Sequence, residues 1–136
     1  MNDIEFEKMV NTLLKPGEDI MSSLTAEKVN LLHNVIGLVG EVGELVAATD
    51  ETNIEEELGD IEFYYTGLYS AIVLENYLLV DTNTITRPKS MILRSMTIIS
   101  TDILDNVKKH VVYNKPLDER KLVEQLGEFR KQLIYF

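Results

Sequence analysis

The sequence predicts an all-α fold, an antiparallel bundle of about five helices, and three observations carry the prediction. Apolar residues recur at spacings of three and four, the period of a helix, through most of the chain. The three prolines, at 16, 88 and 116, fall between those stretches and not inside them. No segment alternates polar and apolar residues as a half-buried strand must. With 136 residues the chain has the size of one ordinary domain and is read as such over residues 1–136. A chain of this length buries roughly two-thirds of its unfolded surface, so a hydrophobic core suffices without staples.

A first, short helix is expected from about Asp3 to Leu14, with Ile4, Met9, Val10, Leu13 and Leu14 as its apolar side. Lys15-Pro16-Gly17 ends it. A second, long and central, runs from Ser23 or Thr25 to about Thr49, with Leu31, Val35, Leu38, Val42, Leu45 and Val46 as an apolar stripe. A third begins after Asn53, an N-cap with Glu56 in the capping-box position, and carries Ile54, Leu58, Ile61, Tyr65, Leu68 and Ile72. Together these two form a helix pair over residues 31–79. The stretch DTNTITRPK (81–89) is rich in turn formers, has no helical stripe and reads as a connection. Pro88 suits the first turn of a fourth helix from about Lys89 to Val112. Asn114-Lys115-Pro116 separates it from a fifth, about Asp118 to Tyr135.

Thirteen basic against 23 acidic residues give a formal net charge of −10. Such a surface repels nucleic-acid backbones and anionic membranes, so neither is expected as a partner. A nucleotide is different, because metal ions carry its phosphates into an acidic pocket. The plainest consequence of the charge is solubility. There is no cysteine, hence no disulfide and no thiolate metal site, which suits a reducing cytoplasm. The N-terminus MNDIEFEKMV is acidic where a signal peptide is basic and then apolar, and no apolar run approaches a bilayer span. A soluble cytoplasmic protein is expected.

The chemistry-bearing residues lie on the second and third helices. In Gly40-Glu41-Val42-Gly43-Glu44-Leu45 the glutamates are three residues apart and project from one helix face. Glu57-Leu58-Gly59-Asp60 repeats that spacing on the next helix, so an antiparallel pairing converges four carboxylates on one point. Four oxygen donors call for a hard cation: magnesium, with manganese as an alternative. Acid at a helix start also compensates the dipole, which accounts for Glu55 and Glu56 but not for a matched pair on the preceding helix. Glycines at 37, 40, 43 and 59 each cost about 1 kcal/mol relative to alanine in a helix, and require either close helix packing or a ligand lying against the backbone.

GLVGEVGEL (37–45) followed by EELGDIEFYY (56–65) resembles the signature of the MazG-like all-α nucleoside triphosphate pyrophosphohydrolases, whose relatives include dimeric dUTPases and dCTPases. That family's Glu-x-x-Glu … Glu-x-x-Asp pattern maps onto Glu41, Glu44, Glu57 and Asp60, within a similarity covering about residues 31–70. The resemblance implies magnesium-dependent hydrolysis of a nucleoside triphosphate between its α- and β-phosphates, with these four residues as metal ligands. Glu44 or Glu57 is the candidate for activating water. The second half, ILDNVKKHVVYNKPLDERKLVEQLGEF (103–129), resembles the stretch joining and including the family's metal helices, so residues 88–136 read as a degenerate second repeat. Ile99, Asp102, Gln125 and Glu128 then stand opposite Glu41, Glu44, Glu57 and Asp60, with two ligands missing. Chance similarity of amphipathic helices is the competing explanation.

The chain departs from the family at Ala48-Thr49-Asp50-Glu51, where many members carry lysines. Lys108, Lys109, Lys115 and Arg94 are the candidates to bind phosphate in their place, against the simpler role of solvated side chains. His33 and His110 lack metal-ligand spacing; Phe63, Tyr64, Tyr65 and Tyr69 either stack a base or fill the core. A helix pair of this kind leaves apolar surface for a second copy, so a homodimer or dimer of dimers is expected. An acidic binding protein, a nucleic-acid mimic or regulatory module, is the alternative to an enzyme; a calcium site of the EF-hand kind does not fit acids on helices.

Overall fold

The computed structural model describes residues 1–72 and 86–136. They form six helices: α1 (Asp3–Leu13), α2 (Gly17–Ser22), α3 (Ala26–Ala47), α4 (Glu51–Ile72), α5 (Lys89–Tyr113) and α6 (Glu119–Tyr135), with no strand among the described residues. The all-α class is as expected, and α2 is the addition. Pro16, expected only to end α1, is also the N-cap of α2, whose first turn holds Glu18 and Asp19 against the positive helix terminus. The continuation of the helix pair to residue 79 and most of the connection 81–89 lie outside the described residues.

Local capping sets the helix starts. Asn2 and Glu5 form a reciprocal capping box on α1. Thr25 and Asp118 accept from the N–H groups of Lys28 and Lys121 at the starts of α3 and α6. Helix α4 begins at Glu51, ahead of the expected start, because the Asp50 carboxylate accepts from the Asn53 N–H at 2.8 Å. Asp50 offers the same three-residue reach as the expected Asn53 cap, and its negative charge also suits the helix terminus. Asn53 is thereby inside the helix, where its side chain donates to Glu57 Oε1 at 3.1 Å.

Four long helices make the bundle. α3 packs against α4 and α5, α5 against α6, and α4 meets α6 in a smaller contact. Helices α3 and α4 form one antiparallel hairpin and α5 and α6 another. The ammonium of Lys28, at the start of α3, donates to the Ser23 carbonyl and to Asn114 Oδ1 at the end of α5 (3.1 and 2.6 Å), so α3 and α5 run antiparallel. Tyr65 donates its hydroxyl to the Leu126 carbonyl and Arg130 pairs with Glu62, so α4 and α6 are antiparallel too. The two hairpin turns therefore lie at opposite ends of the bundle.

The core follows the predicted stripes with informative exceptions. Leu31, Val35, Leu38, Val42 and Leu45 are buried, as are Ile61, Tyr65 and Leu68 of α4, facing Ile92, Met96, Ile103, Val107 and Val111 of α5 and Leu122, Leu126 and Phe129 of α6. Val46, expected in the stripe, is 52% exposed, one position past the face that Leu45 ends. Of the apolar side expected of α1 only Val10 is as much as half-buried, and the helix makes no helix–helix contact among the described residues. By length and composition α3 does reach a bilayer span, contrary to the expectation. It is the central bundle helix, and it carries both glutamates of the first acidic pair.

Candidate metal centre

Because Val42 and Leu45 point into the core, the residues one position before each, Glu41 and Glu44, are carried onto the flank of α3 that borders α4. On α4, Ile61 and Leu68 fix the inward direction, and Glu57, one turn before Ile61, is drawn in with them, leaving its side chain only 6% exposed. One carboxylate oxygen each from Glu41, Glu44 and Glu57 lies within 4.8 Å of the other two. Two ligands on opposite sides of one cation, each at about 2.1–2.4 Å, stand about 4.2–4.8 Å apart, so the three fit a shared ion. Asp60 is exposed and does not join that set, although its charge acts on Glu41. The structure thus brings three of the four predicted ligands together, with the fourth beside them.

The electrostatics record the crowding. Burial, then a hydrogen bond with Glu57, then the charges of Glu44, Asp60 and Glu57 push the Glu41 carboxyl up to about 7. Every group acting on it is an acid; no cation is among them. Asn53, expected only as a cap, instead donates to Glu57 from inside α4. The four-residue spacing from Asn53 to Glu57 on one helix face was the available signal for the hydrogen bond that orients Glu57.

The glycines divide in two. At Gly37 a Cβ would run into the Tyr64 ring, and at Gly67 into the Asn34 side chain, so at both the close approach of α3 and α4 favours glycine. At Gly40, Gly43 and Gly59, which flank the acids, a Cβ would meet nothing within 4 Å. Among the described residues no internal contact explains these three. The triple substitution Gly40→Ala, Gly43→Ala, Gly59→Ala is expected to raise stability by about 3 kcal/mol from helix propensity alone, read from urea unfolding. An unchanged or lower stability would mean that the positions serve the fold after all.

A shallow groove of about 550 Å³ runs along α4 from Gly59 through Phe63 and Gly67 to Ser70, with Asn34 of α3 on its edge. Phe63 is 68% exposed on that side and meets Tyr64 edge-on. Tyr64 covers Gly37, while Tyr65 and Tyr69 stack on each other, so among these aromatics Phe63 is the one left open to solvent. His33 meets Tyr64 edge-on, and His110 hydrogen-bonds the Lys115 carbonyl.

The candidate phosphate-binding cations lie elsewhere. Lys108, Lys109 and Lys115 are exposed at or just past the C-terminal end of α5; measured along the bundle at 1.5 Å per residue, Glu41 lies on the order of 10 Å from the level of Lys108 and Lys109 and on the order of 20 Å from that of Lys115. Lys109 is engaged by Asp105 at 2.8 Å. Arg94 is nearer the acids' end of the bundle, but on α5, which makes no contact with α4 among the described residues and so does not border the α3–α4 seam.

Comparison with known proteins returns no match: no family model, no curated protein and no solved structure is significantly similar to the chain.

Proposed function

We propose that the protein is a magnesium-dependent nucleotide pyrophosphohydrolase, cleaving a nucleoside triphosphate or its deoxy form between the α- and β-phosphates to give a monophosphate and pyrophosphate. The observation that carries this reading is the meeting of three carboxylates from two helices within 4.8 Å, with no cation among the described residues that act on Glu41. The reaction itself rests on the resemblance of Glu41, Glu44, Glu57 and Asp60 to the MazG-like pattern. These four residues would hold the metal, magnesium or in its place manganese, which when bound neutralises phosphate charge and lowers the pKa of water.

The chain's own groups divide the remaining work. Glu57 is fixed by Asn53 and by its bond with Glu41, so it serves as a positioned ligand. Glu44 is exposed, and no hydrogen bond to it is found among the described residues, which favours it over Glu57 as the base that orients or deprotonates water. Open backbone at Gly40, Gly43 and Gly59 leaves room for a phosphate chain beside the acids, and the exposed Phe63 ring offers a face to a base. The uncovered apolar side of α1 supports a homodimeric assembly.

The test is pyrophosphate release from a panel of canonical and modified nucleoside triphosphates with magnesium or manganese, using the native chain and Glu44→Gln. Metal-dependent release that collapses in Glu44→Gln supports the reading. A folded native chain that turns over no nucleotide sinks it, and salt-sensitive capture of a basic protein by that chain would establish the acidic binding module instead.

A further inference from the structure

The groove on α4 is built by Gly59, Glu62, Phe63, Thr66, Gly67 and Ser70, at the three- and four-residue spacings of one helix face. That face points outward, away from the buried Ile61, Tyr65 and Leu68. Around the helix, Glu62 and Phe63 stand on either side, with Gly59 and Thr66 between them one turn before and one turn after. The two walls differ in chemistry. Phe63 is an exposed aromatic ring braced edge-on by Tyr64, with centroids 5.2 Å apart. Between the walls the floor is open, since a Cβ at Gly59 would meet nothing within 4 Å.

The opposite wall is a fixed carboxylate. Arg130 of α6 pairs with Glu62, and the Arg130 guanidinium rests over the Tyr65 ring, 5.5 Å from its centroid. Glu62 lines the groove, and Arg130 stands behind it on α6. What the pair turns toward a ligand is therefore a group that accepts hydrogen bonds and donates none. A ligand that fits must bring N–H donors on one edge and a flat ring to lie against Phe63.

Among the common nucleobases, guanine sets two N–H donors side by side, N1–H and the 2-amino group, and so matches the two oxygens of a carboxylate. Adenine and cytosine carry an acceptor nitrogen beside the amino group, and uracil and thymine flank one N–H with carbonyls. Each of those turns a lone pair toward Glu62. The groove is also within reach of the acids. Asp60 and Glu62, two residues apart, lie on nearly opposite flanks of α4, with Gly59 on the outer face between them. A helix is about 10–12 Å across with its side chains, less than the length of an extended nucleoside triphosphate, so one molecule can span both.

The geometry points to a guanine-selective slot on the outer face of α4. The base stacks on Phe63, its N1–H and 2-amino group donate to Glu62, and Arg130 is the positioning residue that fixes the carboxylate. This inference rests on the reading of the protein as a nucleotide pyrophosphohydrolase and narrows its substrate to a guanine nucleoside triphosphate.

The experiment measures kcat/KM for GTP, ITP, ATP, CTP and UTP with magnesium, and calorimetric binding of the α,β-methylene analogues of GTP and ATP. It uses the full chain, native and as Glu62→Gln, Arg130→Met, Arg130→Lys and Phe63→Ala, with folding checked by circular dichroism. GTP is expected to exceed ATP, CTP and UTP by about 30-fold, with ITP between them because it keeps one donor of the two. Glu62→Gln should bring the GTP-to-ATP ratio below about threefold, as the charge-assisted bonds are lost. Arg130→Met should lower that ratio and Arg130→Lys preserve it, whereas a merely structural arginine would change stability and leave the ratio alone. Should Arg130→Met not fold, the native GTP-to-ITP ratio and Glu62→Gln decide. Phe63→Ala should weaken every nucleotide by about tenfold through lost stacking.

Turnover without preference for guanine, or a preference that survives Glu62→Gln, overturns the slot and leaves the reaction standing. A Phe63→Ala chain that changes its mass in solution but not its nucleotide affinity also overturns the slot, and assigns the groove to contact between copies. Guanine-selective binding of the analogue without turnover of GTP supports the slot and overturns the reaction. A chain that neither binds nor turns over any nucleotide overturns both.

Discussion

Glu41→Gln is expected to lower metal-dependent turnover by on the order of 10³-fold and, in the same protein without metal, to raise stability at neutral pH. The first effect follows from removing one of three carboxylates that meet within 4.8 Å, since a lost metal ligand forfeits several kcal/mol of charge stabilisation. The second follows from the raised carboxyl. Glu41 titrates at about 7 in the fold and near 4.5 otherwise, so between these values the folded chain holds a proton that the unfolded chain has released. The stabilisation from that proton is complete below about pH 4.5 and is lost as pH rises through about 7. Glutamine cannot ionise and escapes the loss. The gain, on the order of 1–2 kcal/mol after allowance for solvent screening, should be present at pH 8 and absent at pH 4 in urea unfolding. Metal affinity of the native chain should also climb between pH 6 and 8, as the proton that competes with the cation leaves. A variant less stable than native at pH 8 would mean that the acids are not crowded in solution.

Phe129→Ala is expected to destabilise the bundle by about 3–5 kcal/mol, the range for a fully enclosed aromatic. Phe129 is 0% exposed and its ring lies parallel to that of Tyr65, centroids 6.0 Å apart. Tyr65 in turn bonds the Leu126 carbonyl and lies under the Arg130 guanidinium, so the cavity would open where α4 and α6 meet. Domains of this size are stable by roughly 5–15 kcal/mol, so the variant should unfold at a far lower urea midpoint. Where it remains folded its metal affinity should be unchanged, because the acids lie on the α3 side of α4. A loss below 1 kcal/mol would show that the α4–α6 contact contributes little to the fold.

The long helices were legible because each carries a stripe of several turns, and the acidic pairs because three-residue spacing has one geometric meaning on a helix. What escaped did so for physical reasons. Helix α2 is too short to display a period, and the proline that begins it had already been read as an end. Asp50 and Asn53 both qualify as caps, and only folding shows which N–H group is left unsatisfied. A stripe also says nothing about what covers it, so the apolar side of α1 gave no hint that the helix packs on no other among the described residues. The separation of Lys108, Lys109 and Lys115 from the acids depends on the antiparallel sense of α3 and α5, which is fixed by contacts between residues far apart in the chain.

The hydrogen bond from Lys28 to Asn114 joins residues 86 positions apart. Each hairpin is closed by a short turn, but the pairing of α3 with α5 has to gather a long span, at an entropic cost that grows only with the logarithm of its length. Assembly therefore separates into two rapid local events and one slower docking step, at the α3–α5 seam. Were that seam to open, the hairpins would swing away from each other while their own helices stay paired. Glu41, Glu44 and Glu57 all lie within one hairpin, so the constellation of acids can outlast the opening of the bundle that surrounds it.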